Sequence, residues 1–194
     1  MKYCKIYKMK KGLLIVYSGP SGVGKGTVLN ELFKYKELNL CYSVSMTTRK
    51  PRSGEINGLN YFFVSEERFK EAINNDELLE YAHFVGNYYG TPKDYVEKCR
   101  NEGKNVILEI EVEGAKQVLD KNQDALSIFL IPPSLEELES RIRNRKTEDE
   151  STIIKRIEKG KKEMPVKDTY KYVVCNEDIK NAAKEIRDII LKNL

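Results

Sequence analysis

The 194-residue sequence has no tryptophan and one histidine, His83, and its four cysteines (Cys4, Cys41, Cys99 and Cys175) lie far apart without a Cys-x-x-Cys pair. Scattered cysteines with almost no histidine leave no ligand set for zinc and no disulfide framework. Reduced, mostly buried thiols are expected, as in a cytoplasmic protein. Long apolar runs are also missing. No segment approaches the roughly 20 apolar residues needed to span a bilayer. The basic opening MKYCKIYKMKKG leads into a predicted strand, with no apolar stretch and small-residue cleavage site behind it. Residues 1–8, before Met9, read as a dispensable extension. A net charge of +4 suits an anionic ligand but does not point to nucleic acid, and no membrane partner is expected. His83, in Tyr-Ala-His-Phe-Val, reads as a packed or exposed ring, not a catalytic one.

What is present fits one substantial α/β unit: 40% hydrophobic and 33% charged residues. Residues 13–17 (LLIVY) form an apolar run ending in Ser-Gly-Pro, the pattern of a buried parallel strand. Similar runs occur at 105–110, 126–131 and 172–175. Helical spacing is found at 27–35, 94–101, 114–120, 135–145, 153–164 and 179–191. Alternation of this kind predicts a parallel sheet with helices on both faces. Two regions break it. Residues from about 43 to 91 carry Tyr61-Phe-Phe-Val and a helical stretch near 66–74, and read as an inserted α+β lobe. Residues 141–150 (RIRNRKTEDE) lack an apolar face, which suits a solvated loop or a mobile lid.

Between the first strand and helix lie Gly19, Pro20, Ser21, Gly22, Val23, Gly24, Lys25, Gly26 and Thr27. Glycines let backbone N–H groups close around phosphate oxygens at a helix N-terminus, and Lys25 adds a charge for the β- and γ-phosphates. The spacing is that of a Walker A loop with one departure. Gly26 stands where Ser or Thr normally supplies a magnesium ligand. Mg2+ is then expected to be held mainly by phosphates and water, with Thr27 or Glu109 as candidate protein contacts. The alternative is a glycine-rich turn that merely precedes a helix.

A second block runs from Ser45 through Thr-Thr-Arg49-Lys-Pro-Arg52-Ser-Gly-Glu55 to Tyr61, and a third from Glu80 to Tyr89-Gly90-Thr91. Together with the phosphate loop, these blocks resemble guanylate kinases in order and spacing, over nearly the whole chain from Gly12 onward. The resemblance implies a P-loop kinase fold of class α/β. Its parts would be a parallel core (about 9–42, 92–134 and 168–194), a GMP-binding lobe (about 43–91) and a helical lid (about 135–167). It implies transfer of the γ-phosphoryl group of ATP to GMP, with Mg2+ as cofactor, in a monomer or homodimer. The implied GMP contacts are Ser45, Arg49, Arg52, Glu55, Tyr61, Glu80, Tyr89, Gly90, Thr91 and Glu111. Their chemistry suits the task. Guanidinium forks match a monophosphate, tyrosine hydroxyls add neutral donors, and a carboxylate matches the N1–H and 2-amino edge that adenine lacks.

The resemblance also brings Arg141, Arg145 and Arg156 to the phosphates and Asn176 to the adenine of ATP. Catalysis would then rest on Lys25, Arg49 and these three arginines, since phosphoryl transfer needs positioning and charge neutralisation more than a nucleophile. Relatives often carry Gln where Glu113 adds a negative charge; they often have Gly at Asn144 and Lys146, so the lid is expected to be stiffer or differently aimed. Three other readings stand beside this one: a different monophosphate acceptor, a scaffold module that has lost catalysis, and a P-loop GTPase. The last lacks its Asn-Lys-x-Asp motif here.

Overall fold

The structure is a computed structural model that describes residues 10–84, 86–144 and 149–194. In chain order it contains β1 (Leu14–Ser18), α1 (Lys25–Leu32), β2 (Leu40–Tyr42), β3 (Met46–Thr47), β4 (Phe62–Phe63), α2 (Glu66–Asn74), β5 (Leu78–Phe84) and β6 (Asn87–Pro92). These are followed by α3 (Lys93–Asn101), β7 (Asn105–Glu109), α4 (Val112–Lys121), β8 (Leu126–Ile131), α5 (Leu135–Arg143), α6 (Glu150–Glu163), β9 (Tyr172–Cys175) and α7 (Ile179–Lys192).

Five strands form a parallel sheet in the order β2-β7-β1-β8-β9. β1 lies in its centre, and every residue of it is buried, which is why it reads as a continuous apolar run. Side chains alternate between two cores. Ile15, Tyr17, Ile107 and Ile128 face Val28 and Leu32 of α1 and Ile186 and Ile190 of α7. Leu14, Val16, Leu108 and Phe129 face Val96 of α3 and Val118 of α4. A second sheet, β4-β3-β6-β5, stands between β2 and α3 in the chain. It is covered by Phe69 and Ala72 of α2, packed with Met46 and Leu78. Helix starts follow local chemistry: Ser65, Ser134, Asp149 and Asp178 each accept a backbone N–H as N-caps.

The predicted alternation gives the observed parallel α/β fold. Several details differ, among them α6, which starts at Glu150, three residues early. β2 was not expected, because Leu-Cys-Tyr is too short to carry a period. α1 begins at Lys25, two residues early, because Gly24 at φ 96° turns the chain directly into the helix. α4 starts at Val112, ahead of Gly114.

Asn105 locks the sheet's entry edge. It is 4% exposed, accepts the Leu13 N–H at 2.9 Å and donates to the Leu38 carbonyl at 2.7 Å. Removing the side chain leaves two main-chain groups unpaired in the interior. Asn105→Ala is expected to cost about 2–4 kcal/mol in urea unfolding; a loss below about 0.5 kcal/mol would contradict this role.

Candidate active site

The phosphate loop leaves β1 at the carboxyl end of the sheet, where α/β folds place their ligands. Gly22 and Gly24 adopt φ 88° and 96°, a region closed to most side chains. A Cβ on Gly19 would lie 2.5 Å from the Leu130 carbonyl, one on Gly22 2.4 Å from Ile142, and one on Gly24 2.8 Å from Asn176. Lys25 donates to the carbonyls of Gly19 at 2.6 Å and Pro20 at 3.3 Å. Burial pushes its ammonium pKa down, against the opposing pull of Glu109, Glu163 and Glu111. Lys25, Gly26, Ser21 and Arg156 line a cavity of about 370 Å³.

Behind the loop lies a second cavity of about 340 Å³, bordered by Thr27, Arg141 and Asn176. Asn176 is 3% exposed. Its amide donates to the buried Val23 carbonyl at 2.8 Å, while its Oδ1 is buried without a partner. An unpaired acceptor of this kind suits an amino donor arriving with a ligand. Arg141 donates to Glu137 at 2.8 Å and to the Asn176 carbonyl at 3.0 Å. Arg156 reaches the Ser21 hydroxyl from both Nε and Nη2 at 3.2 Å. Arg145, its expected companion, lies outside the described residues, as does Lys146.

A third cavity, of about 620 Å³, opens between the two sheets and is lined by Ser45, Tyr61, Glu80, Tyr89, Gly90 and Glu111, among others. At its closed end Glu80 is 6% exposed and accepts the hydroxyl of buried Thr91 at 2.6 Å. Gly114 makes room for it, since a Cβ there would lie 2.4 Å from Glu80 Oε2. Burial pushes the Glu80 carboxyl up to about 7; Thr91 opposes the shift and the charge of Glu111 adds to it. Arg49 forms a bidentate pair with Glu55 at 2.8 and 2.9 Å. Its guanidinium also lies 5.3 Å from the Tyr61 ring centre. The Arg49 fork and the Arg52 backbone N–H hold Glu55 down at about 2. The Arg52 side chain is exposed.

The first and third cavities share four residues: Tyr42, Tyr61, Glu109 and Glu111. They therefore lie side by side, with these four residues between them. At the junction Tyr42 donates weakly to Glu109 at 3.4 Å, and burial raises the Glu109 carboxyl despite the pull of Lys25. A Cβ on Gly26 would be 3.7 Å from Glu109 Oε1, so the position of the missing Walker A hydroxyl lies beside a carboxylate. Among the described residues no group of three or more His, Cys, Asp or Glu is gathered as a metal cage. Mg2+ needs only one or two carboxylates when phosphates and water complete its shell, and Glu109 fits that pattern. Thr27 borders the cavity on the Asn176 side, not this one. Glu111 is paired with Lys159 at 2.6 Å.

The sequence reading missed Tyr42, Lys159 and Glu163. Of these, Glu163 left a faint signal: it follows Arg156 by seven residues, two helical turns.

The family profile described as guanylate kinase matches residues 11–193. The chain belongs to the guanylate kinase family. It is 61% identical over 182 residues to a guanylate kinase of Mycoplasma capricolum subsp. capricolum, covering 94% of this chain and 61% of that one. It is 53% identical over 184 residues to a guanylate kinase of Bacillus cereus, covering 95% and 90%. Among solved structures, guanylate kinase from Anaplasma phagocytophilum superposes with a TM-score of 0.73 at 34% identity, covering 95% of this chain and 87% of that one. The chain thus spans about three-fifths of the Mycoplasma relative's length. Among the described residues no helix is long and apolar enough to cross a membrane.

Glu80 gives the third cavity a pH signature. Its pKa in the fold, about 7, exceeds the ordinary 4.5, so the fold favours the protonated acid. The associated stability is complete below pH 4.5 and lost as pH rises through 7. Glu80→Gln, a neutral isostere, is expected to match the parent at pH 4.5 and exceed it by about 2–3 kcal/mol at pH 8. Urea unfolding across that range checks it; a pH-independent difference would contradict the buried acid.

Proposed function

We propose that this chain is a guanylate kinase in activity as well as family, transferring the γ-phosphoryl group of MgATP to GMP. The observation that carries the reading is the junction of the phosphate-loop cavity with the acidic cavity between the sheets, which share Tyr42, Tyr61, Glu109 and Glu111. A donor phosphate at Lys25 and an acceptor phosphate near Arg49 and Tyr61 would meet there without either crossing bulk water.

In this reading Glu80 and Thr91 take the guanine edge. Ionised Glu80 accepts from N1–H and the 2-amino group, and adenine, lacking that edge, would leave the buried carboxylate unpaired. Ser45, Gly90 and Glu111 complete the walls. Arg49 and Arg52, with the hydroxyls of Tyr61 and Tyr89, hold the acceptor phosphate, and Glu55 sets the fork of Arg49. Loop amides and Lys25 hold the donor phosphates, while Asn176 offers its free oxygen to the adenine amino group. Arg156, already at Ser21, neutralises charge on the transferring group, with Arg141 on the far side of the loop. Arg145 belongs to the same proposed lid, residues 135–167. Glu109 is the residue that would help hold Mg2+, which when bound would supply charge neutralisation for the phosphates. A monophosphate is already anionic at pH 7, so the acceptor needs no general base.

Coupled assays of ADP release with GMP, dGMP, AMP, UMP and dTMP test the reading. GMP is expected to exceed AMP by at least about 10³ in kcat/KM, and Glu80→Gln to lose about 10²-fold or more on GMP. Equal turnover of AMP would defeat the Glu80 argument. Lys25→Ala should lower kcat by about 10²-fold or more with GMP affinity retained. Arg49→Ala should chiefly raise KM for GMP, and an unchanged KM would remove Arg49 from the acceptor site.

A further inference from the structure

Glu163 is the acid of the donor cavity that the proposed reaction does not use. It lines the cavity together with Lys25 and Arg156, and its side chain is 12% exposed. Its Oε2 accepts the backbone N–H of Ser21, in the phosphate loop, at 3.2 Å. It is also the last residue of α6, from which the chain runs on directly into a 3-10 helix at Met164–Thr169. Tertiary contacts hold its side chain at the loop.

Those contacts are specific. Arg156, Gly160 and Glu163 follow one face of α6 at spacings of four and three. Arg156 grips the Ser21 hydroxyl and Glu163 the Ser21 N–H. Between them Gly160 comes close to the loop: a Cβ there would be 3.7 Å from both Pro20 Cβ and the Ser21 carbonyl. Lys159 stands 3.8 Å from Glu163. Burial pushes the Glu163 carboxyl up, against the pull of Lys159, the Ser21 N–H and Lys25, and Glu111, just ahead of α4, adds to the rise; Tyr170 also feels its charge. Lys25, meanwhile, is turned onto the loop's own carbonyls. A loop whose glycines are arranged to carry an anion thus already has a protein carboxylate on one of its donors.

We propose that Glu163 is a place-holding anion for the donor phosphates: it satisfies the Ser21 end of the loop before nucleotide arrives, and its charge opposes nucleotide entry. This rests on the donor-site reading above. A carboxylate near an incoming polyphosphate is a like charge in a partly desolvated cavity, so neutralising it strengthens nucleotide binding. A purely structural clip between α6 and the loop would behave differently. The amide of glutamine keeps an acceptor oxygen for Ser21 and the same shape, so removing the charge alone would change nothing or weaken binding.

The test is calorimetric titration of the full chain with MgATP, without GMP, for the parent and Glu163→Gln. The dissociation constant is expected to fall about five- to tenfold in Glu163→Gln, with the gap narrowing as KCl rises toward about 0.5 M. KM for GMP should stay unchanged. An equal or larger dissociation constant in Glu163→Gln overturns the proposal while leaving the donor site intact. Failure of the parent chain to bind MgATP removes the donor-site reading and the proposal with it. Should the glutamine variant not fold, Glu163→Ala serves, with the same direction expected and the same outcome decisive.

Discussion

At three of its glycines the phosphate loop passes through space with no room for a side chain, and the rest of the site is arranged around that constraint. Gly19 meets the backbone of β8 at Leu130, Gly22 meets Ile142 of α5, and Gly24 meets Asn176 beyond β9. Three elements that are remote in sequence therefore converge on one loop because those three positions have no Cβ atom to hold them off. The same convergence sets the positions of Arg141 and Asn176 behind the loop and of Arg156 and Glu163 in front of it. Central placement of β1 between β7 and β8 completes the geometry. Glu109, at the end of β7, stands beside Gly26 because the neighbouring parallel strands end at the same level.

The acceptor cavity is governed by an opposite principle, a charge placed where it is costly. Glu80 sits among β5, β6 and α4, with Thr91 as its hydrogen-bond donor and Gly114 leaving it space. A carboxyl raised to about 7 is a buried group for which the fold supplies too few donors. A ligand edge bearing two N–H donors supplies what is lacking. Selectivity then comes less from attraction to the correct base than from the unpaired carboxylate left by a wrong one. In the proposed function the binding step would recover the missing hydrogen bonds, which would let the fold tolerate a locally destabilising acid.

Much of this could be read from the chain alone, for identifiable reasons. β1, β7 and β8 are buried on both faces, so they appear as short runs dominated by Leu, Ile and Val. The phosphate loop is legible because its chemistry is main-chain and its glycines are obligatory. What escaped reading depends on distant partners. β2 is three residues long and owes its existence to pairing with β7. Tyr42 matters only because β2 delivers it to the mouth shared by two cavities. Glu163 resembles any solvated helix carboxylate until α6 is seen lying on Pro20 and Ser21. Lys159 likewise reads as surface charge, and its pairing with Glu111, 48 residues away, has no local trace. The β5–β6 hairpin was hidden for a related reason: its polar, tyrosine-rich strands face a cavity and so lack a clean apolar alternation.

Most cations of the site already have protein partners. Arg49 is paired with Glu55, Arg141 with Glu137, Lys159 with Glu111, while Lys25 donates to loop carbonyls and Arg156 to Ser21. Substrate phosphates in the proposed reaction would therefore exchange one set of acceptors for another instead of meeting bare charge. Exchange of this kind would limit ground-state affinity, because each hydrogen bond these cations formed to substrate would be offset by one broken within the protein. The transferring phosphoryl group differs, since its charge spreads over oxygens that no protein carboxylate imitates. Interactions made only at that point have nothing to displace and act wholly on the barrier. A pre-paired site of this kind holds its guanidinium groups in place before binding and keeps its strongest electrostatic discrimination for the transition state.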